Sequence, residues 1–190
     1  MKLHFNLIAP FYEKVIGLNS KTDWRALLEI KQAGVLLDAG AGTGRVSKII
    51  QKLHPEMKII LADESAGMLK EAMKSGSFSA VLCQTENLPF KMGTFSRIVM
   101  VDALHHVKSH RGTVNELWRV LGDEGMGVIE EPDIDQLPVK LLAIGEKLLL
   151  MRSMFLSSHS IKKLLPNSAI IDVQFSNANF WLRFRKNQSV

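Results

Sequence analysis

A single cysteine, Cys83, among 190 residues leaves no partner for an internal disulfide. No run approaches the roughly 20 uncharged residues that a membrane-spanning helix needs. The most apolar segment, Val139 to Met151, is interrupted by Lys140, Glu146 and Lys147. The opening MKLHFNLIAPFYEK has no long apolar stretch followed by a small-residue cleavage site. These absences lead to the expectation of a soluble, cytoplasmic protein with no membrane span. There is no HExxH-type spacing and no cysteine cluster, so no metal centre is expected. Repeats, low-complexity tracts and linkers are absent too, which makes residues 1–190 one expected domain.

What is present is 46% apolar composition, enough for one substantial core. The formal charge of +5 raises the question of a nucleic-acid partner. The only concentrated basic run is Arg183-Phe-Arg185-Lys186, and elsewhere the basic residues stand singly on expected helices, the pattern of solvated faces. A nucleic-acid partner is therefore not expected.

Short runs rich in Val, Ile and Leu alternate with longer stretches whose apolar residues fall three and four apart, which implies βαβ units and a parallel sheet. The expected strands are Val35 to Leu37, Lys58 to Ala62, Phe78 to Cys83, Arg97 to Val101, Met126 to Glu130, Ser168 to Phe175 and Phe180 to Lys186. Between them run three helical stripes: Val46, Ile49, Ile50 and Leu53; Met68, Leu69, Ala72 and Met73; Val114, Leu117, Trp118 and Leu121. The last two strands are separated by Ser176-Asn-Ala-Asn179, too short for a crossover helix, so they should pair as an antiparallel hairpin. Residues 1 to about 30 read as helical, with Trp24, Leu27, Leu28 and Ile30 as the apolar set, and contribute no strand. Residues 136–165 form a helical insert, with Pro138 suited to a first turn, Ser158 to an N-cap and Pro166 to a stop. Ligands of open α/β sheets sit beyond the carboxyl ends of the strands, so these two segments are the candidate covers of a site.

The segment Val35-Leu-Leu-Asp-Ala-Gly-Ala-Gly-Thr-Gly-Arg-Val46 runs from a buried strand through Gly40, Gly42 and Gly44 into an amphipathic helix. Glycine allows positive φ and close backbone approach, and a helix N-terminus favours a polar or anionic ligand group. A dinucleotide fingerprint would place its third glycine at position 45, where this chain has Arg45, and no Lys followed by Ser or Thr closes the loop as in a P-loop. A tight turn without a ligand is the alternative. Asp63, at the end of the second strand, is suited to accept both hydroxyls of a ribose, or else to cap the helix that Ser65 starts. Taken with the glycine loop, the ribose role is favoured.

With these residues in place, the chain resembles the class I S-adenosylmethionine-dependent methyltransferases, in particular the branch of the ubiquinone and menaquinone C-methyltransferases. The resemblance rests on LLDAGAGTGRVS (36–47), ADESAGMLKEA (62–72), ENLPFKMGTFSRIVMVDALHHV (86–107) and ELWRVLGDEGMGVIEEPD (116–133), in the family's order and spacing. It implies an α/β Rossmann-like three-layer sandwich with a mostly parallel seven-stranded sheet and an antiparallel C-terminal hairpin strand. It also implies S-adenosyl-L-methionine as cofactor, with S-adenosyl-L-homocysteine as product. Gly40, Gly42 and Gly44 would surround the methionine part, Asp38 would orient its ammonium, Asp63 would hold the ribose, Glu64 would lie beside the adenosine, and Gln84 and Thr85 would border the adenine. Asp102 would line the methionine end. The opening Phe5 to Tyr12 resembles the branch's N-terminal helix, which puts Tyr12 among the residues closing the cofactor site. Three departures mark a divergent member: Gln84 where relatives commonly have Asp, Ser96 where Asp is usual, and Gly122-Asp-Glu-Gly125 in place of a Lys-Pro-Gly-Gly turn.

A sulfonium methyl needs an aligned nucleophile and exclusion of water, and an acid–base residue only if the acceptor must lose a proton. His105 and His106, after the fourth strand, are the catalytic candidates, since imidazole titrates near neutral pH. Capping the following turn or packing beneath the cover is their alternative role. Glu130, Glu131 and Asp133 after the fifth strand are candidates to contact the acceptor, against a solvated strand end. His159 reads as a surface residue, and Met73, Met92, Met151 and Met154 as pocket lining or core filler. Three functions fit: a methyltransferase acting on a small-molecule acceptor, an RNA or protein methyltransferase, and a cofactor-binding regulatory protein without transfer. The acceptor atom and the oligomeric state leave no signature in the sequence.

Overall fold

The computed structural model describes residues 22–74, 76–136, 139–140, 153–176 and 178–186. The elements are α1 (Trp24–Leu28), β1 (Val35–Ala39), α2 (Arg45–Leu53), β2 (Lys58–Asp63), α3 (Ala66–Ala72), β3 (Ser79–Leu82), β4 (Phe95–Val101), a 3₁₀ turn (Leu104–His106), α4 (His110–Val120), β5 (Leu121–Pro132), α5 (Ser158–Lys162), β6 (Ala169–Ser176) and β7 (Asn179–Lys186). The seven strands form one sheet in the order β3-β2-β1-β4-β5-β7-β6. Pairing is parallel from β3 through β5, and β7 alone runs the other way, antiparallel to both β5 and β6. Each expected strand is present, as is the C-terminal hairpin.

Alternation along the strands divides the core in two. Leu36, Ile59, Leu61, Val99 and Val128 face α1, α2 and α3. Leu37, Ile98, Met100, Ile129, Phe180, Leu182 and Phe184 face α4 and α5. The result is the expected three-layer sandwich. The inward residues of α2 are Val46 and Ile50, those of α3 Met68, Leu69 and Ala72, and those of α4 Val114 and Leu117, as the helical stripes require. Two assignments shift. Leu121 ends no helix but begins β5, fully buried. Met73 falls past the end of α3 and is 44% exposed.

Helix starts are set by side-chain caps, which satisfy amides that have no intrahelical partner. Asp23 Oδ1 accepts from the amides of Arg25 and Ala26, Ser65 Oγ from that of Met68 and Ser109 Oγ from that of Gly112. In the insert the cap is Ser157, whose Oγ accepts from the Ser160 amide, not the expected Ser158. Ser96 Oγ donates to the Val35 carbonyl and so ties β4 to β1.

Of the N-terminal segment expected as a cover, the part from residue 22 onward is described, and it belongs to the core. A helix of five residues has little stability of its own, so α1 exists because it is packed. Trp24, Leu27 and Leu28 are buried in the core, each contributing about 1.5–3 kcal/mol of apolar burial. Arg97, in the first half of β4, donates to the carbonyls of Leu28 at 2.6 Å and Glu29 at 2.8 Å, fastening the end of α1 away from the strands' carboxyl ends. Residues 24–28 are thus part of the sandwich, and the expected cover before residue 22 lies outside the described residues. Tyr12, Pro138 and Met151 lie outside the described residues. Among the described residues, no helix is long and apolar enough to cross a membrane.

Candidate functional site

A pocket opens at the carboxyl ends of β1 to β4, bounded by the loop after β1 on one side and the loop after β4 on the other. The first loop owes its shape to three glycines in the left-handed region: Gly40 at φ 72°, Gly42 at 54° and Gly44 at 71°. The amides of Gly40 and Ala41 both donate to the Ala62 carbonyl, which folds the loop back over β2. The three glycines do different work. A β-carbon on Gly40 would come within 2.6 Å of the Ala103 β-carbon, and one on Gly44 within 3.2 Å of Ala72, so both allow neighbouring chain segments to close. A β-carbon on Gly42 would meet nothing within 4 Å. Gly40 and Gly42 line the pocket; Gly44 stands behind it as the N-cap of α2.

Asp63 closes β2 at the position expected for a cap, and on the pocket. Its Oδ2 accepts from the Gly42 amide and its Oδ1 from the Ser65 amide, each at 2.8 Å, so it fixes the glycine loop and starts α3 while lining the pocket. A carboxylate offers about four acceptor positions, so Asp63 keeps capacity for a further donor. Burial pushes its carboxyl above the ordinary range, and the amides oppose that shift. Asp38 is 2% exposed, and its Oδ2 accepts from Ser47 Oγ at 2.7 Å. Burial raises its carboxyl from 3.8 to about 6, with the Ser47 hydroxyl pulling the other way. Glu64, Gln84 and Thr85 also line the pocket. Thr85 Oγ1 is hydrogen-bonded to Thr113 Oγ1 on α4, and the Gln84 carbonyl accepts from Asn87 in the turn that follows.

Across the pocket, Asp102 adopts φ 50° without being glycine, while its amide donates to the Glu130 carbonyl. Such a conformation persists only where surrounding contacts hold it. Asp102 Oδ2 pairs with Arg45 Nη2 at 3.3 Å, linking the two loops. Burial and the neighbouring Glu131 raise the Asp102 carboxyl. His106 lines the pocket with Nδ1 3.1 Å from Ser153 Oγ, and burial followed by the neighbouring His105 lowers its ring to about 3.

His105 is not among the pocket-lining residues. It is buried, Nδ1 lies 2.5 Å from Glu131 Oε2, and its ring stacks on Phe155 at 4.4 Å. Nor do the three acids expected at the acceptor line this pocket. Glu130 and Glu131 lie within β5, not after it; Glu130 Oε1 accepts from Asn179 Nδ2, and Asp133 Oδ1 accepts from the Asp135 amide in a turn. Met92 and Met154 are 74% and 60% exposed, so they are neither core nor lining, and His159 is on the surface. Among the described residues no group of three or more His, Cys, Asp or Glu could hold a metal ion. Sequence reasoning missed Arg45, Ser47 and Ser153. Ser47 carried a signal, a small polar residue beside the buried Val46 at the start of α2; the partners of Arg45 and Ser153 are 57 and 47 residues away and left none.

Residues 37–129 match a family described as a methyltransferase domain. Demethylmenaquinone methyltransferases of Chlamydia pneumoniae and Thermotoga maritima are each 30% identical, over 66% and 67% of this chain and 59% of theirs. The chain thus matches about three fifths of the length of these curated relatives. A probable human tRNA methyltransferase is 27% identical over 54% of the chain and 22% of its own. Among solved structures, a Thermotoga maritima S-adenosylmethionine-dependent methyltransferase, described as a possible histamine N-methyltransferase, superposes with a TM-score of 0.72 at 17% identity, covering 98% of this chain and 100% of that one. A Methanococcus maripaludis protein described as a putative S-adenosylmethionine-dependent methyltransferase gives 0.72 at 16% identity, covering 100% and 93%. Residues 37–129 thus carry a methyltransferase domain, on a fold shared with solved S-adenosylmethionine-dependent methyltransferases, in line with the class I resemblance.

Proposed function

We propose that the chain transfers the methyl group of S-adenosyl-L-methionine to a small-molecule acceptor and releases S-adenosyl-L-homocysteine. The observation that carries this reading is the Asp63 carboxylate. It lines the pocket, held between the Gly42 and Ser65 amides with acceptor capacity to spare, beside a glycine whose β-carbon position is open space. That arrangement fits a ribose diol on Asp63 and a ligand backbone close over Gly42. Asp38 and Asp102 stand at the methionine end, Gly40 and Gly42 beneath it, Glu64 along the adenosine, and Gln84 with Thr85 at the adenine edge. Gly44 supports the loop from behind.

The bound cofactor supplies a methyl already activated on sulfonium, so the chain's own residues need only orient the acceptor and exclude water. A ring that titrates near 3 is a poor base at neutral pH, and we assign His106 to hydrogen bonding with the acceptor, not to taking its proton. Among the described lining residues, Asp38, Asp63, Glu64, Glu86 and Asp102 outnumber Arg45 and Lys108. Two cations are too few for the basic track that a polyanionic nucleic-acid acceptor needs. The demethylmenaquinone relatives support a small acceptor in the same way.

Isothermal titration with S-adenosylmethionine and S-adenosylhomocysteine, followed by label transfer from methyl-labelled cofactor into small-molecule, RNA and protein fractions, tests the reading. Binding of both ligands with label only in small molecules is expected. Absence of binding overturns the cofactor site, binding without transfer favours the regulatory reading, and label in RNA or protein overturns the acceptor class.

A further inference from the structure

Glu131 is almost fully buried, at 1% exposure, within β5 and outside the pocket, yet three groups of the pocket's far wall converge on it. Its Oε1 accepts from two successive amides of the loop after β4, Ala103 at 3.0 Å and Leu104 at 2.7 Å. Its Oε2 accepts from His105 Nδ1 at 2.5 Å. Those residues flank Asp102 and His106, both on the pocket, so one carboxylate sets the path of the chain that carries them.

The same loop is gripped from outside by the returning end of the insert. The Met154 amide donates to the His105 carbonyl at 2.8 Å, Phe155 stacks on the His105 ring, and Ser153 Oγ bonds His106 Nδ1. The Met154 carbonyl in turn lies 3.2 Å from His110 Nε2 at the start of α4. The loop after β4 is therefore clamped between Glu131 beneath and residues 153–155 above, with His105 as the pin through both.

We propose that Glu131 is the positioning residue of this site: through His105 and two backbone amides it holds the loop after β4, and with it Asp102 and His106, in the geometry that receives cofactor and acceptor. The inference rests on the reading of the pocket given above. A buried carboxylate with three donors fits the task because charge-assisted hydrogen bonds are strong and directional, and its loss takes the shared acceptor from two backbone amides and a ring N–H at once. An amide in its place still offers one carbonyl oxygen but turns an N–H₂ group toward His105.

The experiment measures S-adenosylhomocysteine affinity by titration calorimetry for wild type, Glu131→Gln, Glu131→Ala and Leu182→Ala, at a temperature where each is folded by circular dichroism. Leu182 is a buried β7 residue that shares the core cluster of Leu104 but makes none of the clamp's hydrogen bonds, and serves as a control for loss of packing and stability alone. Proton–nitrogen NMR of the histidine rings is recorded alongside. Expected are at least tenfold weaker binding for Glu131→Ala, an intermediate loss for Glu131→Gln, and no more than a twofold change for Leu182→Ala. The wild type should show a far-downfield Nδ1 proton of His105 that moves on ligand binding. Glu131 variants that fold and bind as the wild type does, or an equal loss in Leu182→Ala, overturn the inference. Should the Glu131 variants not fold, the wild-type spectra decide: a His105 ring signal unmoved by bound ligand overturns it. A wild type that binds no S-adenosylhomocysteine overturns the reading of the pocket, and this inference with it.

Discussion

The two walls of the pocket are built on different principles. The wall after β1 and β2 is local: its glycines, Asp38, Ser47 and Asp63 come from one strand–loop–helix–strand run, and its hydrogen bonds join residues 9 and 21 positions apart. The wall after β4 is assembled from distant pieces, with Glu131, Ser153 and Phe155 reaching the loop from 26 to 50 positions away in the contacts that define it. On the proposed reading the first wall holds the ribose and most of the methionine part of the cofactor, and the second adds Asp102 to the cofactor and His106 to the acceptor.

The sharpest way to break this comparison is to give two glycines of the first wall the same β-carbon. Gly40→Ala and Gly42→Ala share a left-handed backbone cost of about 1 kcal/mol. Gly40→Ala adds a clash with Ala103 across the pocket's base, expected to cost roughly 1–3 kcal/mol more in chemical denaturation. Gly42→Ala should keep most of its stability and lose S-adenosylhomocysteine affinity by calorimetry. Equal stability losses in the two variants would show that the loop's glycines are interchangeable turn formers.

Asp38 gives a test nearly as large and of opposite sign. Its folded-state value of about 6 lies above the ordinary 3.8, so the folded protein holds that proton more tightly than the unfolded chain. The resulting stability is fully present below pH 3.8 and lost as pH rises through 6. Asp38→Asn should therefore stabilise the fold at pH 8 by up to about 2–3 kcal/mol while weakening cofactor binding, because the ammonium loses its carboxylate. A variant less stable than wild type at pH 8, measured by urea unfolding, would mean that the Ser47 bond outweighs burial.

Asp63→Ala should weaken S-adenosylmethionine binding by roughly 1.5–3 kcal/mol per charge-assisted bond lost, with further loss from the released Gly42 amide. Unchanged affinity would remove Asp63 from the ribose. The smallest effect is expected on the second wall. Once an acceptor is found, His106→Gln should leave the pH profile of kcat/KM without any lost limb between pH 5 and 8, since burial keeps the ring neutral across that range. Disappearance of a limb near pH 6 to 7 in the variant would return His106 to the role of base.

Much of this molecule was legible in its residues because the signals were local. Strand after strand followed from short aliphatic runs, the helices from stripes three and four apart, and the antiparallel β7 from a connection too short to cross over. Glycines at 40, 42 and 44 announced positive φ, and all three have it. Asp63 could be placed at a strand end before a cap, and it sits there. What the sequence could not separate was lining from support. Gly40, Gly42 and Gly44 look alike in the chain, and only the positions of Ala103 and Ala72 distinguish them. Adjacent His105 and His106 offered equal claims, yet one faces the pocket and the other a buried carboxylate. Trp24, Leu27 and Leu28 formed an apolar set that suited a cover as well as a core, and Arg97, nearly 70 positions on, decided for the core. Periodicity and turn chemistry are properties of neighbours in the chain, so the sequence determines the elements, their order and the first wall. Which side of a buried ring meets a ligand depends on the field and packing of residues that only the folded sheet brings together, and that is where Glu131 acquired its place.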